Sequence, residues 1–260
     1  MSTAVAILAH ALRMLFFETS TTLRVLMPAI LMVMGCGLAM SVLAPDTLAA
    51  LRASEPETMM PSASSLLYFS IIGLVGLLAY ALMAVLWHRH VLLNGAEDTE
   101  VLRPAPSVYL GYIWRAIVVG MVQILAVLPL TLAIALLGGA VVSAGAGGLP
   151  VSVIGVLGSV IFIWIALRFS VVLPAAAIGE RMAVLESWQI TRAVSAELWG
   201  VAAMITGINT LFYTLSLILP EAGVLPMLAQ TVILIIEGLM FISVLTTLYG
   251  HLVEGRSLGQ

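Results

Sequence analysis

Glu237 stands in the middle of an otherwise apolar run, residues 225–250, that is long enough to cross a bilayer. A carboxylate at that depth is costly, and an ionisable residue inside a membrane span marks a functional site by default. It is the one carboxylate of the chain that falls at mid-membrane depth in this reading. Two roles are open to it. One is the relay of a proton or cation, or contact with a polar substrate. The other is a carboxyl that joins helices by hydrogen bonds. Its candidate partners are Thr206, Asn209, Thr210 and Tyr213 in the preceding apolar run, Gln230 and Thr231 on its own, and Arg168 nearer one membrane face. A single acid without a second one is thin support for ion-coupled transport.

A second group is His88, Arg89 and His90. Two histidines at i and i+2 share a face only in extended chain. No acid or cysteine stands beside them to complete the three or four ligands a metal requires. A role at the membrane rim is expected instead, with Arg89 meeting lipid phosphate. A third group is Glu186, Trp188 and Arg192, with Glu197 nearby. Val184, Leu185, Trp188 and Thr191 fall on one helical face and Glu186 and Gln189 on the other, the pattern of a helix lying in the headgroup plane. Arg192 can pair there with Glu186 or Glu197. The segment is an interfacial anchor or a docking surface for another protein.

The catalytic motifs are missing. There is no His-Glu-x-x-His and no Gly-x-Ser-x-Gly, and all four histidines fall near one membrane rim, so no catalytic triad can be drawn. The glycine-rich stretch GGAVVSAGAGG, residues 138–148, lacks the Lys-Ser/Thr ending of a phosphate-binding loop and reads as a turn. Cys36 is the only cysteine and excludes an intramolecular disulfide. No cofactor, no metal and no nucleic acid is expected, and an enzyme is not expected either.

The elements that must position these residues follow from composition. The chain is 62% hydrophobic and 9% charged, where a soluble domain carries about 25% charged residues. So few charges cannot cover a water-facing surface, so this is an integral membrane protein of all-α class. A bilayer core of about 30 Å needs about 20 apolar residues of helix. Six segments qualify: 23–44, 66–87, 113–138, 151–173, 199–219 and 227–249. They form one membrane domain covering residues 1–260. The first run is read as retained, because Arg13 follows an apolar stretch rather than preceding it, unlike a signal peptide.

With six spans, nine of the ten basic residues, all of them arginine, fall on one side. The other side holds Arg52, beside Asp46, Glu55 and Glu57. Both termini are therefore expected in the cytoplasm. The connections on that side, residues 3–17, 91–112 and 175–198, look helical. Together with the start of the odd-numbered spans near 23, 113 and 199, they suggest a threefold repeat of an interfacial segment plus a helical hairpin. Ordinary loops without duplication are the alternative.

The stretch 168–199, RFSVVLPAAAIGERMAVLESWQITRAVSAELW, carries a resemblance. With its Arg168, Leu173-Pro174-Ala175, Ala183, Glu186-Ser187-Trp188, Thr191-Arg192 and Trp199, it resembles a segment of the YciC family of uncharacterised bacterial six-helix membrane proteins. It also looks like the membrane domain that precedes some glycerophosphodiester phosphodiesterases. Residues 87–93, WHRHVLL, resemble an element of alphaproteobacterial members. The likeness covers about 45 residues closely and the six-span layout loosely. It implies a bacterial inner-membrane protein. It implies no phosphodiesterase activity, because the catalytic residues of the fused proteins sit in a soluble barrel.

Two functions are expected from these residues. The first is a non-enzymatic inner-membrane component: a scaffold, an envelope-maintenance factor, or a partner of another membrane protein or of a second copy. The second is a small-molecule or lipid transporter using Glu237 and the polar residues of span five.

Overall fold

The computed structural model describes residues 3–17, 19–52, 60–93, 103–145, 148–218 and 223–258. Glu55, Glu57, residues 94–102 of the expected helical connection 91–112 and the predicted span end at 219 lie outside them. The helices are α1 Thr3–Phe17, α2 Thr19–Leu43, α3 Pro45–Arg52, α4 Ala63–Leu92, α5 Pro106–Ser143, α6 Leu149–Phe169, α7 Val172–Ala177, α8 Val184–Ile190, α9 Ser195–Ser216 and α10 Val224–Leu252, with a 3-10 turn at Thr191–Val194. Among the described residues there is no strand. Among the described residues six helices are long and apolar enough to cross a membrane, which makes the chain an all-α, multi-pass membrane protein.

Burial orders these helices. In the most apolar stretch of α5, 11% of residues are buried, against 61% in that of α10, so α5 is peripheral and α10 central. Residues 242–250 of α10 are buried without exception. One apolar cluster joins α10 to α1, α6, α7 and α9, and a second joins it to α1, α2, α4 and α7. Large apolar side chains outside these clusters, such as Leu125 at 69% and Leu136 at 66% exposed, form the lipid face. In lipid the hydrophobic effect does not hold helices together; close packing and hydrogen bonds do. Gly238 shows this. Tyr80 of α4 lies on its backbone, in the space a Cβ would occupy.

Helix ends are closed locally. At the far end of the bundle, away from the termini, the Ser62 side chain caps α4 by accepting from Ser65 N–H at 3.3 Å. Thr47 of α3 bonds Ser65 through both its N–H (3.1 Å) and its hydroxyl (2.8 Å). At the near end Arg256 donates to the Leu92 carbonyl (2.6 Å) and the Val91 carbonyl (3.2 Å), satisfying the last turn of α4. The end of α7 is a Schellman motif: Glu180 N–H bonds Ala175 O, Gly179 N–H bonds Ala176 O, and Gly179 takes the left-handed φ of 89° this requires.

Several boundaries differ from the sequence reading, and the third span runs from 106 to 143 rather than 113 to 138, taking in the first part of the glycine-rich stretch expected to be a turn. The fourth span ends at Phe169 rather than 173; the chain turns at Ser170 and Val171, and Leu173 belongs to α7. The short α3 was not anticipated. The expected segment 91–112 is divided, with its start in α4 and its end in α5. The first helix of each hairpin begins at residue 19, 106 or 195, intervals of 87 and 89 residues. The hairpins α2–α4 and α5–α6 are packed along their arms. The third, α9–α10, is splayed: α9 leans on α6, while α10 packs on α1, α2 and α4.

Candidate functional site

The splay of α9 from α10 opens space on both sides of α9 in the far half of the bundle. Between α5, α6 and α9 lies a cavity of about 810 Å³, open along one side. Its polar lining is Thr131 from α5, Ser152 and Ser159 from α6, and Thr206, Asn209, Thr210, Tyr213 and Thr214 from α9. No charged residue among those described lines it. On the other flank of α9 a groove of about 260 Å³ is lined by Asn209, Tyr213, Ser216, Gln230 and Glu237. Asn209 and Tyr213 face both.

The hydroxyls have a common habit. Thr131 donates to Leu128 O (2.9 Å), Ser152 to Gly148 O (3.1 Å) and Ser159 to Gly155 O (2.9 Å). Thr210 donates to Thr206 O (2.7 Å) and Thr214 to Thr210 O (2.8 Å). Each proton is spent on the residue's own helix, which is how hydroxyls are tolerated in an apolar medium. Thr206 is the exception. It is 3% exposed, yet its Oγ1 has no hydrogen-bond partner among the described residues, and neither has Asn209 Oδ1.

Of the predicted intramembrane site, Glu237 therefore meets Asn209 and Tyr213 across one groove, while Thr206 and Thr210 look into the other. Glu237 is half-buried near the midpoint of α10. Thr231 turns away, donating to Met227 O at 2.8 Å. Arg168 does not join them. It is 5% exposed at the end of α6, stacked on Trp188 with its guanidinium carbon 3.6 Å from the ring centroid. It donates to Trp188 O (2.7 Å) and Thr191 Oγ1 (3.3 Å). Ser187 returns a bond to Arg168 O at 2.7 Å. Trp164, Trp199 and Phe169 complete an aromatic stack around this knot. The signature stretch 168–199 is thus a clasp that fixes α8 against α6.

The expected near-end interface is rearranged too. His88 is fully buried inside the bundle, near the end of α4. Its Nδ1 lies 2.7 Å from Thr246 Oγ1 of α10, and Nε2 has no partner among the described residues. Arg89 donates from Nη1 to Ala177 O at 3.0 Å. His90 is half-buried, with its ring 6.2 Å from that of Trp87. Glu186 closes the start of α8 by accepting from Ala183 N–H at 3.2 Å. Arg192 is exposed and pairs with neither Glu186 nor Glu197; among the described residues the ion pair is Arg256–Glu254. Trp188 packs inward, but Leu185 is 72% exposed, so the face assumed for Val184, Leu185, Trp188 and Thr191 is rotated away from Leu185. His10 of α1 lines a small polar cavity with Thr246, Thr247, His251 and Arg256; burial, and then Arg13, push its imidazole below the ordinary value.

Sequence reasoning missed Thr131, Ser152 and Ser159. The available signal was the spacing Ser152, Gly155, Ser159, which puts three small residues on one face of α6.

Comparison with protein-family models, curated proteins and solved structures found no match.

Proposed function

We propose that this is a non-enzymatic inner-membrane protein, both termini cytoplasmic, that takes a lipid-dissolved small molecule into the cavity between α5, α6 and α9, as a binder or carrier. The observation that carries this reading is Thr206. Buried polar atoms nearly always find partners, and an unpaired one in a lipid-facing protein has no water to fall back on. Thr206 Oγ1 and Asn209 Oδ1 stand unpaired beside a cavity of ligand size. A bound molecule that draws either side chain toward the cavity would complete it. Glu237, on the second flank of α9, extends the polar path toward α10.

The second reading is the scaffold, envelope-maintenance factor or complex partner. Its support is the exposed apolar belt near the termini, with Leu185 at 72% and Trp114 and Phe16 at 66% exposure. Headgroup anchoring accounts for such a belt equally well, so the cavity weighs more.

Water access to Glu237 separates the two. With Cys36→Ser as background, Glu237→Cys is labelled with a membrane-impermeant thiol reagent from each side. The carrier reading expects labelling from the far side. Protection from both sides, in a protein that keeps its thermal midpoint, removes the path along α9 and leaves the scaffold.

A further inference from the structure

We infer that the α5–α6–α9 cavity takes the uncharged, hydrogen-bond-donating end of a lipid-dissolved molecule: an alcohol or a primary amide on a long apolar chain. This rests on the cavity being a ligand site and names the ligand's chemistry. Three observations carry it. Five hydroxyls of the lining, on Thr131, Ser152, Ser159, Thr210 and Thr214, have given their protons to carbonyls of their own helices. Their oxygens can only accept from an occupant. Asn209 Oδ1 is a further acceptor without a donor, and Thr206, nine-tenths buried and more, is unpartnered at the same wall.

The wall is therefore richer in acceptors than in donors, the donors being the Thr206 and Tyr213 hydroxyls and the Asn209 amide. A carboxylate or phosphate would find these donors but no cation among the described lining residues, and an ammonium would find acceptors but no acid among them. A neutral O–H or N–H matches the wall without burying a charge. The cavity runs along α9 from Thr206 to Thr214, about 12 Å of helix rise, and the surrounding surface is apolar: Phe162 at 45% and Leu132 at 58% exposure. An apolar tail can remain in the bilayer while its polar end sits against α9.

The test uses the full chain in lipid nanodiscs and four photoreactive probes of one chain length: an alcohol, a primary amide, a carboxylic acid and a quaternary ammonium. Two variants accompany the parent. Gly155→Leu adds bulk at the cavity wall, where a Cβ meets no atom within 4 Å, and its thermal midpoint against the parent checks the fold. Thr206→Val keeps the shape and removes the free hydroxyl. Saturable labelling by the alcohol and amide, abolished by Gly155→Leu and weakened about tenfold by Thr206→Val, is the expected result; one good hydrogen bond is worth about that factor. Equal or better labelling by the acid or the ammonium, still blocked by Gly155→Leu, overturns the ligand class but keeps the cavity as a site. Labelling by no probe, or labelling indifferent to Gly155→Leu, overturns the cavity as a ligand site and leaves a partner helix as its occupant.

Discussion

Thr246 has one hydroxyl proton, and it goes to Ile242 O at 2.7 Å. The contact with His88 must then run from Nδ1–H to Thr246 Oγ1, which fixes the tautomer and leaves Nε2 as an acceptor. Thr246→Val removes the acceptor from a buried donor and should cost about 1–3 kcal/mol. Replacing both, with His88→Leu, should cost less than the sum of the two single changes. Denaturation in detergent measures the cycle, and additive effects would mean the two groups do not interact. Arg168 makes a stronger case. Its planar head both stacks on Trp188 and donates to carbonyl and hydroxyl oxygens, so Arg168→Lys keeps the charge and loses the fit. A loss of roughly 2 kcal/mol is expected for Lys and more for Ala, seen as a lowered thermal midpoint. No change in either variant would refute the clasp. The mid-helix place of Glu237 was legible because it depends only on distance to the ends of an apolar run. The burial of His88 was not: its partner lies 158 residues further along the chain.

At the scale of elements, Gly238 and Tyr80 set how closely α10 approaches α4. A methyl group at 238 would collide with the Tyr80 ring and hydroxyl. Gly238→Ala should therefore lower stability by about 1–3 kcal/mol, and Tyr80→Leu should restore much of the loss in the double variant. If Gly238→Ala alone is neutral in a thermal unfolding series, the approach is looser than described. All six long helices were legible, with ends up to seven residues out at α5, because each is a run of apolar residues bounded by proline, glycine or charge. Which way each helix faces was not. A helix apolar on every side has no polar stripe to orient it, so nothing in the sequence turns Ser152 and Ser159 toward α9. Glu237 and Asn209 were named as partners on the correct two helices. The sequence could not show that the hairpin joining those helices is open, which places them across a groove and not in a direct bond.

The whole molecule has its termini together. Leu258 packs against the cluster that contains Ala4 and Leu8, and Arg256 shares a small cavity with His10. In a Cys36→Ser background, single cysteines at Thr3 and Ser257 should label from the same membrane side, and one at Ala49 in α3 from the opposite side. Labelling of Thr3→Cys and Ser257→Cys from different sides would rule out an even number of crossings. The central position of α10 has a further consequence, one of order in time. Every helix that α10 touches precedes it in the chain. During synthesis α1, α2, α4 and α9 enter the bilayer before the helix they enclose has been made. Their inner faces must meanwhile be covered by lipid, and His88 must wait for Thr246. The bundle is thus assembled around a vacancy, and threading α10 into it is the step on which completion of the fold depends.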